Sequence, residues 1–306
     1  MAIVRIDATR ITQVEHLWQR SRHLYQNFGY EDLPGLLDKQ IALLGEDQDR
    51  IWGFLCIQSE KRPLTLPATA ANRAYIRGAA LAQGRSPSQD IPQLIDAAAT
   101  ILPDYAPAHM VTVYGNQAWL SQALRHAGFT VAEEVAFFAL PRIQRWQPPP
   151  HILARAQRSV DQHPTFLIRP CHGDELALLA QLDARSFTPL WHFGVDGLRE
   201  LLFAGRLQVA TIDGEPVGYS AFSHRGRDGH LARLAVHPDW QGQGLGHLLL
   251  ADVLQAAKAA GVQQVMLNTQ VDNQRAQHLY RAYGFRPTGE VVPVLGKLIR
   301  SSTWNR

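Results

Sequence analysis

The two halves of this chain carry the same pattern. Gly284-Phe285 lines up with Gly128-Phe129 and Gln241 with Arg85, and the stretches 90–128 and 246–284 match in length without a gap. AYIRGAAL (74–81) reads as a strand, SQDIPQLIDAAATIL (88–102) as a long helix, HMVTVYG (109–115) as a strand and NQAWLSQALRHAGF (116–129) as a helix. HLARLAVHP (230–238), LGHLLLADVLQAAKAAG (245–261), QVMLNTQ (264–270) and NQRAQHLYRAYG (273–284) repeat that order, with glycine closing both later helices. Alternating strands and helices imply an α/β domain, and a degenerate tandem repeat implies two of them.

The length of 306 residues suits two domains, each able to bury its own core. The second half begins with a strand at 166–170 and two helical stretches at 173–187 and 198–205. A hairpin of 207–212 and 216–223 then turns at Asp213-Gly214. A final strand or strand pair spans 289–299. The compositional break lies in PRIQRWQPPPHILARAQRSVDQHP (141–164), where the prolines Pro148–Pro150 disfavour helix and favour an extended linker. The expected division is a domain at 1–145, a linker at 146–165 and a domain at 166–306.

The residues 240–246, Trp-Gln-Gly-Gln-Gly-Leu-Gly, join a strand to a helix. Glycine costs backbone entropy, so three on alternate positions need a reason. Unpaired amides at a helix start, with the helix dipole behind them, make an anion site suited to a phosphate or pyrophosphate. A dinucleotide fingerprint needs other glycine spacing, and a P-loop needs Lys and Ser/Thr where His247 and Leu248 stand.

Gln241, Gly244 and Gly246 fit a Q/R-x-x-G-x-G/A pattern. Asn273, Ala276, Leu279, Tyr280, Gly284 and Phe285 fit N-x-x-A-x-x-L-Y-x-x-x-G-F. The two motifs in this order resemble the GNAT superfamily of acyl-CoA-dependent N-acyltransferases, over about 166–300 and more loosely over 1–140. The resemblance implies two tandem GNAT-like domains, each a mixed, mostly antiparallel sheet flanked by helices. It implies acetyl-CoA as cosubstrate, no metal, and transfer of an acetyl group to a primary amine by direct attack in a ternary complex.

By that resemblance the pyrophosphate would rest on the loop Gln241, Gly242, Gln243, Gly244, Leu245, Gly246 and His247. The pantetheine arm would add to a splayed strand at Leu234, Ala235 and Val236, with Val236 N–H stabilising the oxyanion. Asn273 and Ala276 would flank the arm, and Tyr280 would protonate the leaving thiolate. Family members often place a Glu on that strand; here His230, or His192 from the preceding loop, is the candidate base. Asn273 also suits a helix N-cap, and Trp191, Trp240 and Trp304 read as packing residues. At the loop position the first repeat has Arg85-Ser86-Pro87-Ser88-Gln89-Asp90, and Leu124 stands in place of Tyr280. It is expected to have lost CoA binding and to help shape the acceptor pocket.

Two other readings stay open at this point: a non-catalytic acyl-CoA sensor and a protein or peptide N-acetyltransferase. The formal charge of +3, without a basic run, does not point to nucleic acid. No apolar run approaches the ~20 residues of a membrane span, and no leader pattern opens the chain. Cys56 and Cys171 form no metal-spaced pair and read as inert thiols in a reducing compartment. The expectation is a cytoplasmic monomer or homodimer acting on a small amine.

Overall fold

The computed structural model describes residues 2–48, 50–60, 62, 66 and 70–301. They form two compact units. One gathers the described residues up to Glu134, Leu66 excepted, and those from Val292 to Ser301, and the other is built from Val135–Val291.

The first unit runs β1 (Ala2–Arg5), α1 (Ile11–Arg20), β2 (His23–Gln26), α2 (Leu33–Lys39), β3 (Ile41–Asp47), β4 (Arg50–Ser59), β5 (Asn72–Leu81), α3 (Pro87–Ile101), β6 (Ala108–Tyr114) and α4 (Ala118–His126). After β7 (Thr130–Pro141), whose residues from Val135 belong to the second unit, that unit runs α5 (Pro150–Val160), β8 (Leu167–Pro170), α6 (Leu176–Ser186), α7 (Val195–Ala204), β9 (Arg206–Ile212), β10 (Glu215–Arg225), β11 (Asp228–Val236), α8 (Leu245–Ala259), β12 (Gln264–Gln270), α9 (Gln274–Ala282) and the start of β13 (Arg286–Arg300), whose residues from Val292 belong to the first. No helix among the described residues is long and apolar enough to cross a membrane.

In the second unit the strand order is β7-β12-β11-β10-β9-β8, antiparallel except for the pair β11–β12. The first has β1-β3-β4-β5-β6, with the end of β13 beside β6, and its parallel pair is β5–β6. Helices cover both sheet faces, so β4, β9 and β10 are buried almost without a break. Val14, Leu33 and Phe54 form the core on one face of the first sheet; Leu55, Ile76 and Leu94 form it on the other. In the second unit, Leu179, Leu198 and Tyr219 lie on one face and Leu250, Leu254 and Val265 on the other. Asp213 and Gly214 both take positive φ (53° and 82°) and turn the β9–β10 hairpin.

The observed division differs from a cut at 145 followed by a linker. Each unit is completed by a strand from the other half of the sequence: Val135–Pro141 pairs with β12, and Val294–Arg300 pairs with β6. The triple proline does not keep the segment extended. Pro150 opens α5, where a missing N–H is harmless because first-turn amides have no intrahelical partner. Ala156 and Val160 are buried from that helix.

Candidate active site

In the second unit β11 pairs with β12 only at Asp228–His230, opposite Gln264–Met266. Beyond His230 the two strands part, and β12 continues against β7. His237 N–H donates to the Val217 carbonyl at 2.9 Å on the β10 side. Backbone groups alternate along a strand, so the N–H and C=O of Val236 and Leu234 point to the opposite edge. Among the described residues no strand pairs with that edge. Ala235 faces β10 and exchanges its bonds with Tyr219. Only Leu234 and Val236 of the three expected strand residues therefore offer backbone groups to the slot.

The slot opens into a cavity of about 500 Å³ lined by Leu234, Val236, Trp240, the glycine loop, Asn273 and Ala276, with Ser186 and Phe187 opposite. Gly242 and Gly244 hold φ of 84° and 89°, a left-handed conformation that side chains resist. Gly244 is the N-cap of α8, so the amides that open the helix lack intrahelical partners. His247 N–H is not among them, because it donates to the Gly244 carbonyl at 2.9 Å. Its imidazole stacks on Tyr283, at 5.6 Å between ring centres. Burial, with help from the charge of Arg155, lowers the pKa of that ring.

Gln241 has a structural task. Its Nε2 donates to the Val236 carbonyl at 2.9 Å, and its Oε1 accepts from Arg275. The loop is thereby tied both to the strand end and to α9, and a guanidinium is held beside Gly242. Arg275 lines the cavity and was not singled out from the sequence, where it is one more charge on an exposed helix face. Asn273 caps α9, its Oδ1 accepting from Ala276 N–H at 3.1 Å. Trp240 stands in the cavity wall, edge-on to His163, besides its packing role. Trp304 lies outside the described residues.

The acid and base candidates do not line this cavity. Tyr280 packs against Phe138 and Phe285, and burial pushes its pKa up to about 12 against the opposing pull of Arg233. His230 sits where β11 and β12 cease to pair. Its ring is exposed, yet enough protein surrounds it to lower its pKa from the ordinary imidazole value. His192 is fully buried, and its Nδ1–H donates to the Pro189 carbonyl at 2.6 Å. That removes it from contact with a substrate.

Sequence reading also missed a buried polar group beside the slot. Asp183 on α6 accepts from Arg233 Nε and Nη2, both at 2.8 Å, from Phe193 N–H at 2.5 Å and from the Tyr219 hydroxyl. In the sequence Asp183 is one residue of the helical stretch 173–187, with nothing local to mark its partners.

In the first unit the corresponding places are filled by the chain itself. The Asp90 carboxylate, 4% exposed, accepts from Ser86 N–H at 2.9 Å and from Arg85, and so occupies the start of α3 as an internal anion. Strand β2 pairs with β5, His23 opposite Leu81 and Gln26 opposite Gly78, on the edge that β6 leaves open. The backbone edge left open at Leu234 and Val236 is closed here.

Known proteins resemble this chain in sequence and in fold. The sequence model of the "Acetyltransferase (GNAT) family" matches residues 176–285. The chain is 35% identical over 118 residues to an "Aminoglycoside N(6')-acetyltransferase type 1" of Stenotrophomonas maltophilia, covering 34% of this chain and 77% of that protein. This chain belongs to the GNAT acetyltransferase family. A second relative of the GNAT chain is the "Putative [ribosomal protein bS18]-alanine N-acetyltransferase" of Bacillus subtilis (strain 168), 27% identical over 40% of this chain and 82% of its own length. A solved "Tandem GNAT protein from the clavulanic acid biosynthesis pathway" superposes with a TM-score of 0.62 at 14% identity, covering 98% of this chain and 99% of that one. The glucosamine N-acetyltransferase region of a fungal multi-domain protein gives 0.69 at 16% identity, over 96% of this chain and 38% of that chain. At such identities these likenesses show the tandem GNAT fold. The family is one of acetyl-CoA-dependent N-acetyltransferases, and its sequence signature lies in the second half of this GNAT protein.

Proposed function

We propose that the second unit transfers an acetyl group from acetyl-CoA to a small primary amine by direct attack. The observation carrying this reading is the unpaired edge at Leu234 and Val236, which leads into the glycine-rich start of α8. The amides from Gly242 to Gly246 and the Arg275 guanidinium suit the pyrophosphate. The peptide-like arm of CoA suits the two strand residues as a β-addition.

Val236 lies nearest the phosphate loop, and its carbonyl is already engaged by Gln241. Its N–H is therefore assigned to the arm. Leu234 N–H, further from the phosphates, is the better placed donor for the thioester oxygen. The amine nitrogen bonds to the carbonyl carbon, the C–S bond breaks, and the thiolate leaves. Tyr280 does not line the cavity but follows Asn273 and Ala276 on one face of α9; protonated far above neutral pH, it is assigned as hydrogen-bond donor to the leaving sulfur. A free thiol ionises near ~8.5, so this help is modest. The proton lost by the amine passes through water to His230, whose lowered pKa keeps it neutral and able to accept.

A small acceptor is favoured because Phe187, in the cavity wall, is held by the buried Arg233 guanidinium 3.5 Å from its ring. A preformed wall suits a compact ligand. The test is calorimetric titration of the full chain with acetyl-CoA, then thiol release with aminoglycosides, polyamines, amino acids and peptides bearing a free N-terminus. One site per chain and turnover with a small amine support the proposal. Turnover with peptides alone would discard the small acceptor, and no binding would discard the site.

A further inference from the structure

The two units differ at a trio of buried positions. Ser21 and Ser186 place their hydroxyls 2.7 and 2.8 Å from the carbonyls of Leu17 and Leu182, and Gly53 faces Leu81 as Gly218 faces Val236. These equivalences set Trp18 on Asp183, Phe54 on Tyr219 and Gly78 on Arg233. The carboxylate, phenol and guanidinium of the second unit become an indole, a phenyl ring and no side chain in the first. Trp18 packs on Phe54 and Phe28, each at 5.8 Å. A Cβ on Gly78 would stand 3.0 Å from Phe54 and 3.2 Å from Phe28. The apolar trio thus occupies the volume that the ion pair fills in the second unit.

The loop above the trio differs accordingly. In the second unit Phe193 N–H is bound to Asp183, and Arg233 Nη2 donates to the Trp191 carbonyl at 2.5 Å. The guanidinium lies 3.5 and 4.4 Å from the ring centres of Phe187 and Phe193. Between them the chain coils, with Trp191 and His192 N–H both reaching the Thr188 carbonyl at 2.9 and 3.1 Å. In the first unit the equivalent segment, placed by Phe28 on Phe193 and Gly29 on Gly194, has no such carboxylate or guanidinium tie among the described residues. It runs extended as β2 and covers β5. Pro189 stands where β2 has Leu24, and proline has no N–H to give to a ladder.

We propose that Asp183 is a positioning residue for acyl-CoA: through Arg233 it holds loop 187–193 off the edge of β11, and without that tie the loop folds onto the edge as β2 does and closes the slot. This rests on the reading in which Leu234 and Val236 receive the cosubstrate.

The test compares three full-length proteins: wild type, D183N, and a variant carrying D183W, Y219F, R233G and P189L. Circular dichroism establishes folding. Amide hydrogen exchange at Leu234 and Val236 is read without ligand, beside acetyl-CoA titration. In the multiple variant both amides are expected to exchange at least about tenfold more slowly, with acetyl-CoA bound about 30-fold more weakly. D183N, which keeps the side-chain shape and loses the charge, should shift both readings the same way by less. Folded variants with unchanged exchange at both amides would overturn the proposal whatever their affinity, because a merely structural network has no reason to protect them. If the multiple variant does not fold, D183N decides on the same two amides. If wild type binds no acetyl-CoA, the proposed function fails, while the exchange data still judge the loop.

Discussion

Ala156 leaves no room for a side chain on Gly244: its Cα and Cβ lie 2.7 and 2.8 Å from where that side chain would begin. The helix between the repeats thus braces the glycine loop through backbone, which cannot step aside as a flexible side chain can. Gly244→Ala combines this collision with a left-handed φ and should cost about 2–4 kcal/mol. Gly242, with a similar φ and only the Arg275 guanidinium at 4.0 Å, should cost about 1–2 kcal/mol as Ala. Urea unfolding of the two variants should separate these costs, and equal losses would contradict the bracing role of α5.

Arg275 offers a milder probe of the same loop. Its guanidinium is exposed, so water and salt weaken its field. Arg275→Ala should weaken acetyl-CoA binding about five- to tenfold and flatten its salt dependence, with kcat unchanged. Titration at two ionic strengths checks this.

Tyr280→Phe removes one hydroxyl from a packed ring. If that hydroxyl protonates sulfur, kcat should fall about 10- to 100-fold while acetyl-CoA affinity holds. Because burial raises the tyrosine pKa to about 12, no loss of rate from its ionisation should appear between pH 7 and 10. Unchanged turnover would remove Tyr280 from the chemistry.

His109 makes the first unit acid-sensitive. The ring is 1% exposed, with Nε2 2.9 Å from the Ser59 hydroxyl, and burial lowers its pKa to about 4. The folded state holds it neutral while the unfolded chain takes up a proton below about 6.5. The stability it contributes is therefore full above about pH 6.5 and is lost as pH falls towards 4, a decline of about 3 kcal/mol. Denaturant midpoints between pH 7 and 4 should fall in wild type and fall less in His109→Gln.

Leu24→Pro should disrupt β2 and speed amide exchange at Ala79 and Leu81. It should add no second acetyl-CoA site, because Asp90 and Arg85 still fill the start of α3. A stoichiometry of two would show that β2 alone had closed the first slot.

Much of the fold and the strand–glycine-loop–helix that we propose for the phosphates was legible in the residue order. Alternating glycines before an apolar helix, an Asn seven residues ahead of a Tyr, and Asp90 replacing glycine are local signals, and local signals survive in sequence. The slot-facing role of Leu234 and Val236 rather than Ala235 was not, because it depends on strand register. Nor was the burial of His192, or the pairing of Asp183 with Arg233, whose partners come from separate elements. The triple proline was misleading for a plain reason: proline forbids a helix interior and suits a helix start, and only the chain beyond decides which applies.

The sequence by itself determined the family, the repeated α/β pattern and the half that keeps the glycine loop, since each rests on residues close together in the chain. The tertiary structure decided which strand completes each sheet and which slot stands open. Those outcomes depend on long-range pairing: the same length of chain forms β2 over an indole and a glycine, and a tied loop over a carboxylate and a guanidinium. A buried charge is tolerated only beside its partner, and no short stretch of sequence records a pairing between separate elements.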